Sequence, residues 1–254
     1  MPNYIGLYTL VRKEIQRMLR IPGQTILSPL ISATLYIFIF GFVIGSRIEE
    51  VNGVPYITFV FPGILMLNII SSSFAHSSSS VYFARFIKSI EEVLVSPLSY
   101  LEIVVGFVAG ALIRSIIVGF GILIVGLIFN AVTLSNIYLF VFYMLAIATI
   151  FSLLGIFVGL WAKGFEQLGA INIFVITPLT YLGGIFYSVH MLPENIQFIT
   201  YSNPFFYFVD GIRNSMIGVS EANVTIGLVM IFGLVLSLGW LIVNLFQIGW
   251  RIRS

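Results

Sequence analysis

Five stretches of this chain contain no Asp, Glu, Lys, Arg or His: residues 21–46, 51–75, 115–162, 167–189 and 222–250. A helix needs about 20 consecutive apolar residues to cross the hydrocarbon of a bilayer. Each stretch is long enough for one crossing, and 115–162 is long enough for two. A helix of a soluble domain keeps a polar face toward water, so runs of this length have no use there. Charged residues make up only 9% of the 254, against about 25% in ordinary soluble domains. The expected fold class is an all-α integral membrane protein.

The polar breaks divide the chain into one transmembrane domain, 1–254, with six transmembrane helices: 25–46, 56–83, 100–129, 137–162, 168–187 and 223–249. The segment Asn130 to Asn136 splits the longest charge-free run. Residues 3–20 are not a span. Arg12, Lys13, Arg17 and Arg20 alternate there with apolar residues, as in an amphipathic helix lying in the membrane interface, and Pro22-Gly23 ends it. The apolar run that follows is too long for a signal-peptide core and lacks a small-residue cleavage site, so a retained span is expected. Six spans put both termini on one side. With the N-terminus inside, the inner segments hold Arg12, Lys13, Arg17, Arg20, Arg85, Lys88, Lys163, Arg251 and Arg253. The outer ones hold only Arg47 and Arg213. Lys and Arg concentrate in cytoplasmic loops, so an N-in/C-in orientation follows.

Much chemistry is excluded. The chain has no cysteine, hence no disulfide and no thiolate metal site. None of its lysines, Lys13, Lys88 and Lys163, completes a G-x-x-x-x-G-K-[ST] phosphate loop. His76 and His190 fall on different faces of the membrane, which disfavours a shared metal or haem. No catalytic residue, cofactor or metal is therefore expected. The net charge of +2 is small and scattered, unlike a nucleic-acid-binding face.

Several features could carry function. Gly41/Gly45, Gly106/Gly110 and Gly155/Gly159 are G-x-x-x-G pairs, which serve either packing within the chain or a dimer seam. Arg114 is the one formal charge deep in an expected span, where charges face protein or water. The serines around His76, including Ser73 and Ser77, either pack closely or line a polar path with it. The loop 85–97 places Ile87, Ile90, Val93 and Leu94 at helical spacing around Lys88, Glu91 and Glu92. It is either a plain return to the membrane or a short helix that docks on a partner. Segment 188–221 is too apolar for a disordered loop, and irregular backbone at membrane depth survives only when buried or lining water. An outer gate or cap is expected there, with Asp210 and Arg213 as candidates for an ion pair.

Together these residues resemble a known family. The run Pro178-Leu-Thr-Tyr-Leu-Gly-Gly-Ile-Phe-Tyr187 is followed by Leu192-Pro193, Asn203-Pro204 and Asp210-Gly-Ile-Arg213. This order resembles the C-terminal signature of ABC-2 type transporter permeases. Glu91-Glu-Val-Leu-Val-Ser-Pro97 looks like their loop between spans two and three, and Pro62-Gly63 matches their second span. The chain resembles the YadH-like bacterial inner-membrane permeases, and more distantly the drug-resistance, Nod-factor and O-antigen export permeases. The resemblance implies a homodimer with two copies of a separate ABC ATPase subunit, set among membrane lipids, with ATP bound on the partner. It implies ATPase coupling through the interfacial helix and a loop contact at Phe86, Lys88, Glu91, Glu92 and Leu94. It also implies outer half-helices between spans five and six, Pro193 to Thr200 and Pro204 to Ile217. The outer gate would then comprise Tyr187, Pro193, Pro204, Asp210 and Arg213. Read from the residues alone, an ion-coupled secondary transporter and a non-transporting anchor for an ATPase are the alternatives. No carboxylate lies deep in an expected span, which disfavours proton coupling.

Overall fold

The computed structural model describes residues 3–48 and 50–251. Glu49 of the first outer loop and Arg253, counted above among the inner charges, lie outside the described residues. The chain is nearly all helical. Helix α1 (Tyr4–Leu19) starts at Asn3, whose side chain accepts the Gly6 N–H, and buries Leu10, Glu14 and Met18. That four-residue spacing forms one helix face, and Arg12 and Lys13 lie exposed beside it. Helix α2 (Ser28–Phe38) is prolonged by π turns at Gly23–Leu27 and Ile39–Ile44 into one continuous helix.

One departure from the all-α expectation follows. Strands β1 (Glu50–Val51) and β2 (Val54–Pro55) form a minimal antiparallel hairpin. Asn52 and Gly53 link them, with φ of 51° and 78°. Positive φ at both central residues is the type I′ turn, which favours Asn-Gly.

Helix α3 (Tyr56–Phe86) is the hub, with nearly every side chain buried through its first six turns. It packs against α2, α5 (Tyr100–Ile128), α6 (Ile137–Trp161) and α10 (Pro204–Ile217). Small residues set the closest of these contacts. A Cβ on Gly155 or Gly159 of α6 would come within 2.6 Å of Phe74 O and 2.7 Å of Ser78 O on the α3 backbone. Gly106 and Gly110 of α5 meet α1, and Gly41 meets Ile57. These glycines are therefore engaged inside the chain. Helix α4 (Ser89–Val95) follows α3 after a turn at Lys88, a left-handed residue with φ 58°.

Five helices among the described residues are long and apolar enough to cross a membrane: Gly23–Ile44, Tyr56–Phe86, Tyr100–Ile128, Ile137–Trp161 and Val224–Gln247. The last is α11. The expected fifth span, 168–187, takes a shorter form. Helices α7 (Phe165–Ile171) and α8 (Thr177–Tyr181), joined by a π turn at Asn172–Ile176, make one helix over 165–181. At 1.5 Å per residue it is about 25 Å long, less than the roughly 30 Å of hydrocarbon. The chain then turns at Gly184, with φ 81°. After a 3₁₀ turn at Val189–Met191 come α9 (Glu194–Tyr201) and α10, the latter ended by Gly218 at φ 74°. Asn223, part of an Asn-Val-Thr triplet, caps α11 by accepting the Thr225 and Ile226 N–H groups.

Contacts between element ends fall into two groups. At one end of the bundle Asn3 N donates to Glu102 Oε1 (2.6 Å), Arg85 Nη1 to Gly159 O (2.9 Å) and Arg251 Nη1 to Trp161 O (2.6 Å). At the other end Asn52 Nδ2 donates to Glu221 Oε1, Tyr56 Oη to Phe186 O (3.0 Å) and Ser135 N to Met216 O (2.9 Å).

Candidate functional site: a polar cleft in the bundle

Helix α1 runs alongside the first turns of α5, with Leu10 on Gly106 and Glu14 on Gly110. The same register carries Glu14 and Arg17 to the serine-rich half of α3. There Ser80 Oγ donates to Glu14 Oε2 at 2.6 Å. Arg17 Nη2 lies 3.3 Å from Glu14 Oε2 and donates to His76 O at 2.9 Å, while Nη1 donates to Ser79 Oγ at 3.3 Å. His76 Nε2 sits 3.2 Å from Glu14 Oε2, close but not aligned for a hydrogen bond. Glu14 and His76 are both buried. Burial pushes the Glu14 carboxyl up, but the His76 contact, the Arg17 charge and the Ser80 hydroxyl outweigh it and hold the carboxyl below its ordinary value. Glu14 is the residue sequence reasoning missed. Its signal was present: an acid at the central position of the Leu10, Glu14, Met18 stripe, where an apolar residue belongs.

Beyond Arg17 a cleft of about 850 Å³ opens between four walls. Arg17 and Met18 form one edge. Gln24, Thr25, Ser28 and Tyr36 line it from the α2 side, and Asn68, Ser71, Ser72 and His76 from α3. Phe165, Glu166, Asn172, Thr177 and Tyr181 line it from α7–α8, and Arg114 enters from α5. Tyr36 Oη and Tyr181 Oη meet at 2.8 Å at its upper end, where Phe40 stacks on Phe186 with centroids 4.0 Å apart. Two opposite walls share a construction. Ser28 N donates to Gly23 O and Thr177 N to Asn172 O, each closing a π turn immediately before a proline, Pro29 or Pro178. Proline lacks the N–H and its ring crowds the carbonyl four residues back. A widened turn relieves that crowding, and such bulges concentrate at functional sites.

The cleft gathers only some of the expected polar residues. His76 and Arg114 line it. Ser73 does not, because its hydroxyl donates back to Ile69 O at 2.8 Å. Ser77 does not either, since its hydroxyl meets Ser152 Oγ of α6 at 2.6 Å. Both are fully buried packing residues, and the path-facing serines are Ser71, Ser72, Ser78 and Ser79. Arg114 has no ion pair and no hydrogen bond among the described residues, and its Nε is buried without a partner.

At the other end Asp210 and Arg213 do not pair. Asp210 accepts from Ser220 Oγ (2.7 Å), Glu221 N (2.8 Å) and Ala222 N (3.1 Å), which pins the segment before α11. Arg213 points instead into the bundle, fully buried. Its guanidinium lies 3.9 Å from the Phe59 ring centroid, and Nη2 donates to Gly184 O at 2.6 Å. The carboxylate is taken by two backbone N–H groups and the Ser220 hydroxyl, and the guanidinium gains a ring face and a carbonyl, while its Nε and Nη1 stay buried without a hydrogen-bond partner among the described residues. Tyr187 Oη donates to Leu182 O at 2.9 Å. Pro193 precedes α9 and Pro204 opens α10, a position where the missing N–H costs nothing.

At the opposite end α4 presents Glu91 and Glu92 in its first turn, both exposed, where the helix dipole favours acids. Phe86 and Ile87 beside them are also exposed, whereas Ile90 is buried and Leu94 packs partly against the bundle.

Residues 6–217 match the family model for the ABC-2 type transporter. This chain belongs to the ABC-2 type transporter family. It is 36% identical over 231 residues to the inner membrane transport permease YadH of Escherichia coli K12, covering 90% of each chain. It is 29% identical over 209 residues to nodulation protein J of Rhizobium leguminosarum bv. viciae, covering 79% of this chain and 78% of that one. Against nodulation protein J of Rhizobium meliloti the identity is 26% over 221 residues. As an ABC-2 permease the chain is a non-catalytic transmembrane subunit of an ABC transporter and a multi-pass protein of the inner membrane. ABC-2 permeases work with ATPase subunits in general. Within the ABC-2 frame the exposed α4 and the polar cleft occupy different parts of one chain, joined through α3 and α1.

Proposed function

We propose that this chain is the permease half of an ATP-driven exporter that moves an amphiphilic, glycan-like or drug-like substrate out of the cytoplasm. Two copies would pair with two copies of a separate ATPase, which binds the ATP; the permease itself uses no cofactor. Both termini lie inside, the five long helices each cross the membrane, and the shorter helix 165–181 makes the remaining crossing. The observation that carries this reading is the cleft: hydroxyls, amides and two arginines from α1, α2, α3, α5 and α7–α8 face one space inside an otherwise apolar bundle.

The chain's own residues supply a route for the motion. Closure of the ATPases displaces α4 through Phe86, Lys88, Glu91, Glu92 and Leu94. Because α1 is tied to α3 by the Ser80 bond to Glu14 and the Arg17 bonds to His76 O and Ser79 Oγ, α1 and α3 move together. The π turns before Pro29 and Pro178 are the places where the cleft walls can yield. The cap over 188–221, with Tyr187, Pro193, Pro204, Asp210 and Arg213, forms the outer gate. Charge reversal at Glu91→Lys and Glu92→Lys tests the coupling contact. Recovery of the ATPase with the tagged permease is expected to fall about tenfold, as for loss of a close interfacial charge pair. Undiminished recovery would remove α4 from the contact.

A further inference from the structure

Arg114 sits on the α5 face that carries Gly106 and Gly110 at four-residue steps. At Gly106 and Gly110 that face is covered by Leu10 and Glu14 of α1. One turn further α1 reaches its last residues, ending at Leu19, and Arg114 lines the cleft beside Arg17 and Met18. It makes no hydrogen bond there among the described residues, and its Nε is buried without a partner. The nearby carboxylate, Glu14, is occupied by Arg17 and Ser80. Glu166 lines the cleft from α7 but is exposed and forms no ion pair among the described residues. Arg17 adds a second guanidinium at the rim, its Nε also without a partner, and Ser72 adds a buried, unused hydroxyl. The cleft therefore presents an unpaired guanidinium and unused donors, and its one lining carboxylate among the described residues, the exposed Glu166, pairs with none of them. A bare charge at membrane depth is costly and persists where something neutralises it. Guanidinium matches the paired oxygens of phosphate, sulfate or carboxylate. Met18, Ile21, Leu67 and Phe83 line the same space, so the anionic group shares it with apolar surface. A volume of about 850 Å³ suits a small molecule or head group.

We propose that the cleft binds the anionic oxygen group of an amphiphilic substrate, with Arg114 as its main counter-charge and Arg17 as the second. This rests on reading the cleft as the transport path and narrows the cargo to anionic amphiphiles. The test is equilibrium binding to the full-length chain in non-ionic detergent, without ATPase or ATP. The probes are dioctanoyl phosphatidate, dioctanoyl phosphatidylcholine and inorganic phosphate. Phosphatidate is expected to bind at least about tenfold tighter than phosphatidylcholine. R114Q should erase most of that difference, since hydrogen bonds to charged groups are worth tenfold or more, while R114K retains part of it. Inorganic phosphate alone should bind far more weakly than phosphatidate. Equal binding of the two lipids to the wild-type chain overturns the proposal whether or not R114Q folds, as does an unchanged phosphatidate affinity in a folded R114Q. Phosphate binding as tightly as phosphatidate would assign a free-anion site and refute the amphiphile. The ATPase reading is judged separately by co-purification, which needs no ligand, so the two can fail independently.

Discussion

Replacing Glu14 by Ala should loosen α1 from the bundle without unfolding the spans. Glu14 is 2% exposed and accepts the Ser80 hydroxyl at 2.6 Å. A hydrogen bond to a charged group contributes about 1.5–3 kcal/mol. The Arg17 contact lies within α1 and acts only by orienting Arg17 toward α3, and it adds less, because the Arg17 side chain is 31% exposed and screened pairs contribute below about 1 kcal/mol. Arg17 also keeps its bond to His76 O. The sum is about 3 kcal/mol, at the lower edge of the roughly 3–5 kcal/mol for breaking a buried pair. Glu14→Gln keeps an oxygen for Ser80 and should cost about half as much. Amide hydrogen exchange across α1 reads local opening directly, and 3 kcal/mol corresponds to exchange about 100-fold faster. Lys13→Ala is the control, because Lys13 is exposed and such changes stay within about 0.5 kcal/mol. Unchanged α1 exchange in Glu14→Ala, or equal acceleration in Lys13→Ala, would refute the claim that this carboxylate holds α1 in place.

Other outcomes follow from the same contacts. Gly159→Ala drives a Cβ toward the Ser78 carbonyl, and a clash with backbone should lower apparent thermal stability by about 1–3 kcal/mol. Gly233→Ala meets nothing within 4 Å and should be neutral or stabilising by up to about 1 kcal/mol; a heat-denaturation series on both variants checks the pair. Asp210→Ala strands two backbone N–H groups and a hydroxyl, so protease should cut residues 218–223 faster, and equal cutting would count against the anchor. The depressed carboxyl of Glu14 makes its contribution fully present above the ordinary Glu value of about 4.3. It is lost only as pH falls through the lower folded value. Exchange across α1, corrected for intrinsic rates, should therefore stay flat from pH 7 to pH 5.

The helical, membrane-spanning character was legible because charge is expelled from hydrocarbon whatever the tertiary packing. The short 165–181 helix was less legible, since the apolar run continues through Ile185 and Phe186 and only Gly183-Gly184 marks the turn. Asn52-Gly53 announced its hairpin, but a two-residue ladder is too small to disturb a helical hydropathy pattern. Arg114 could be found from sequence because one charge stands out in an apolar run. Glu14 could not stand out in the same way, because it sits among four basic residues in a segment expected to be charged. Packing and path-lining stayed open for Ser73 and Ser77 for a geometric reason. A serine run places hydroxyls on every face of α3, and only the tertiary neighbours separate those facing the cleft from those facing α6. Asp210 and Arg213, three residues apart on one helix, suggested a pair that backbone donors and an aromatic ring replaced.

The central claim is that the space between α2, α3 and α7–α8 is an aqueous path whose access is governed by ATP on a partner. The chain has no cysteine, so Ser71→Cys in the cleft wall and Val229→Cys on the exposed side of α11 each report one position. In inside-out vesicles containing the ATPase, a charged, membrane-impermeant thiol reagent should modify Ser71→Cys without nucleotide. The rate should fall at least about tenfold when non-hydrolysable ATP closes the ATPases, while Val229→Cys stays unmodified throughout. A Ser71→Cys site that never reacts, or reacts at the same rate with and without nucleotide, would contradict the account.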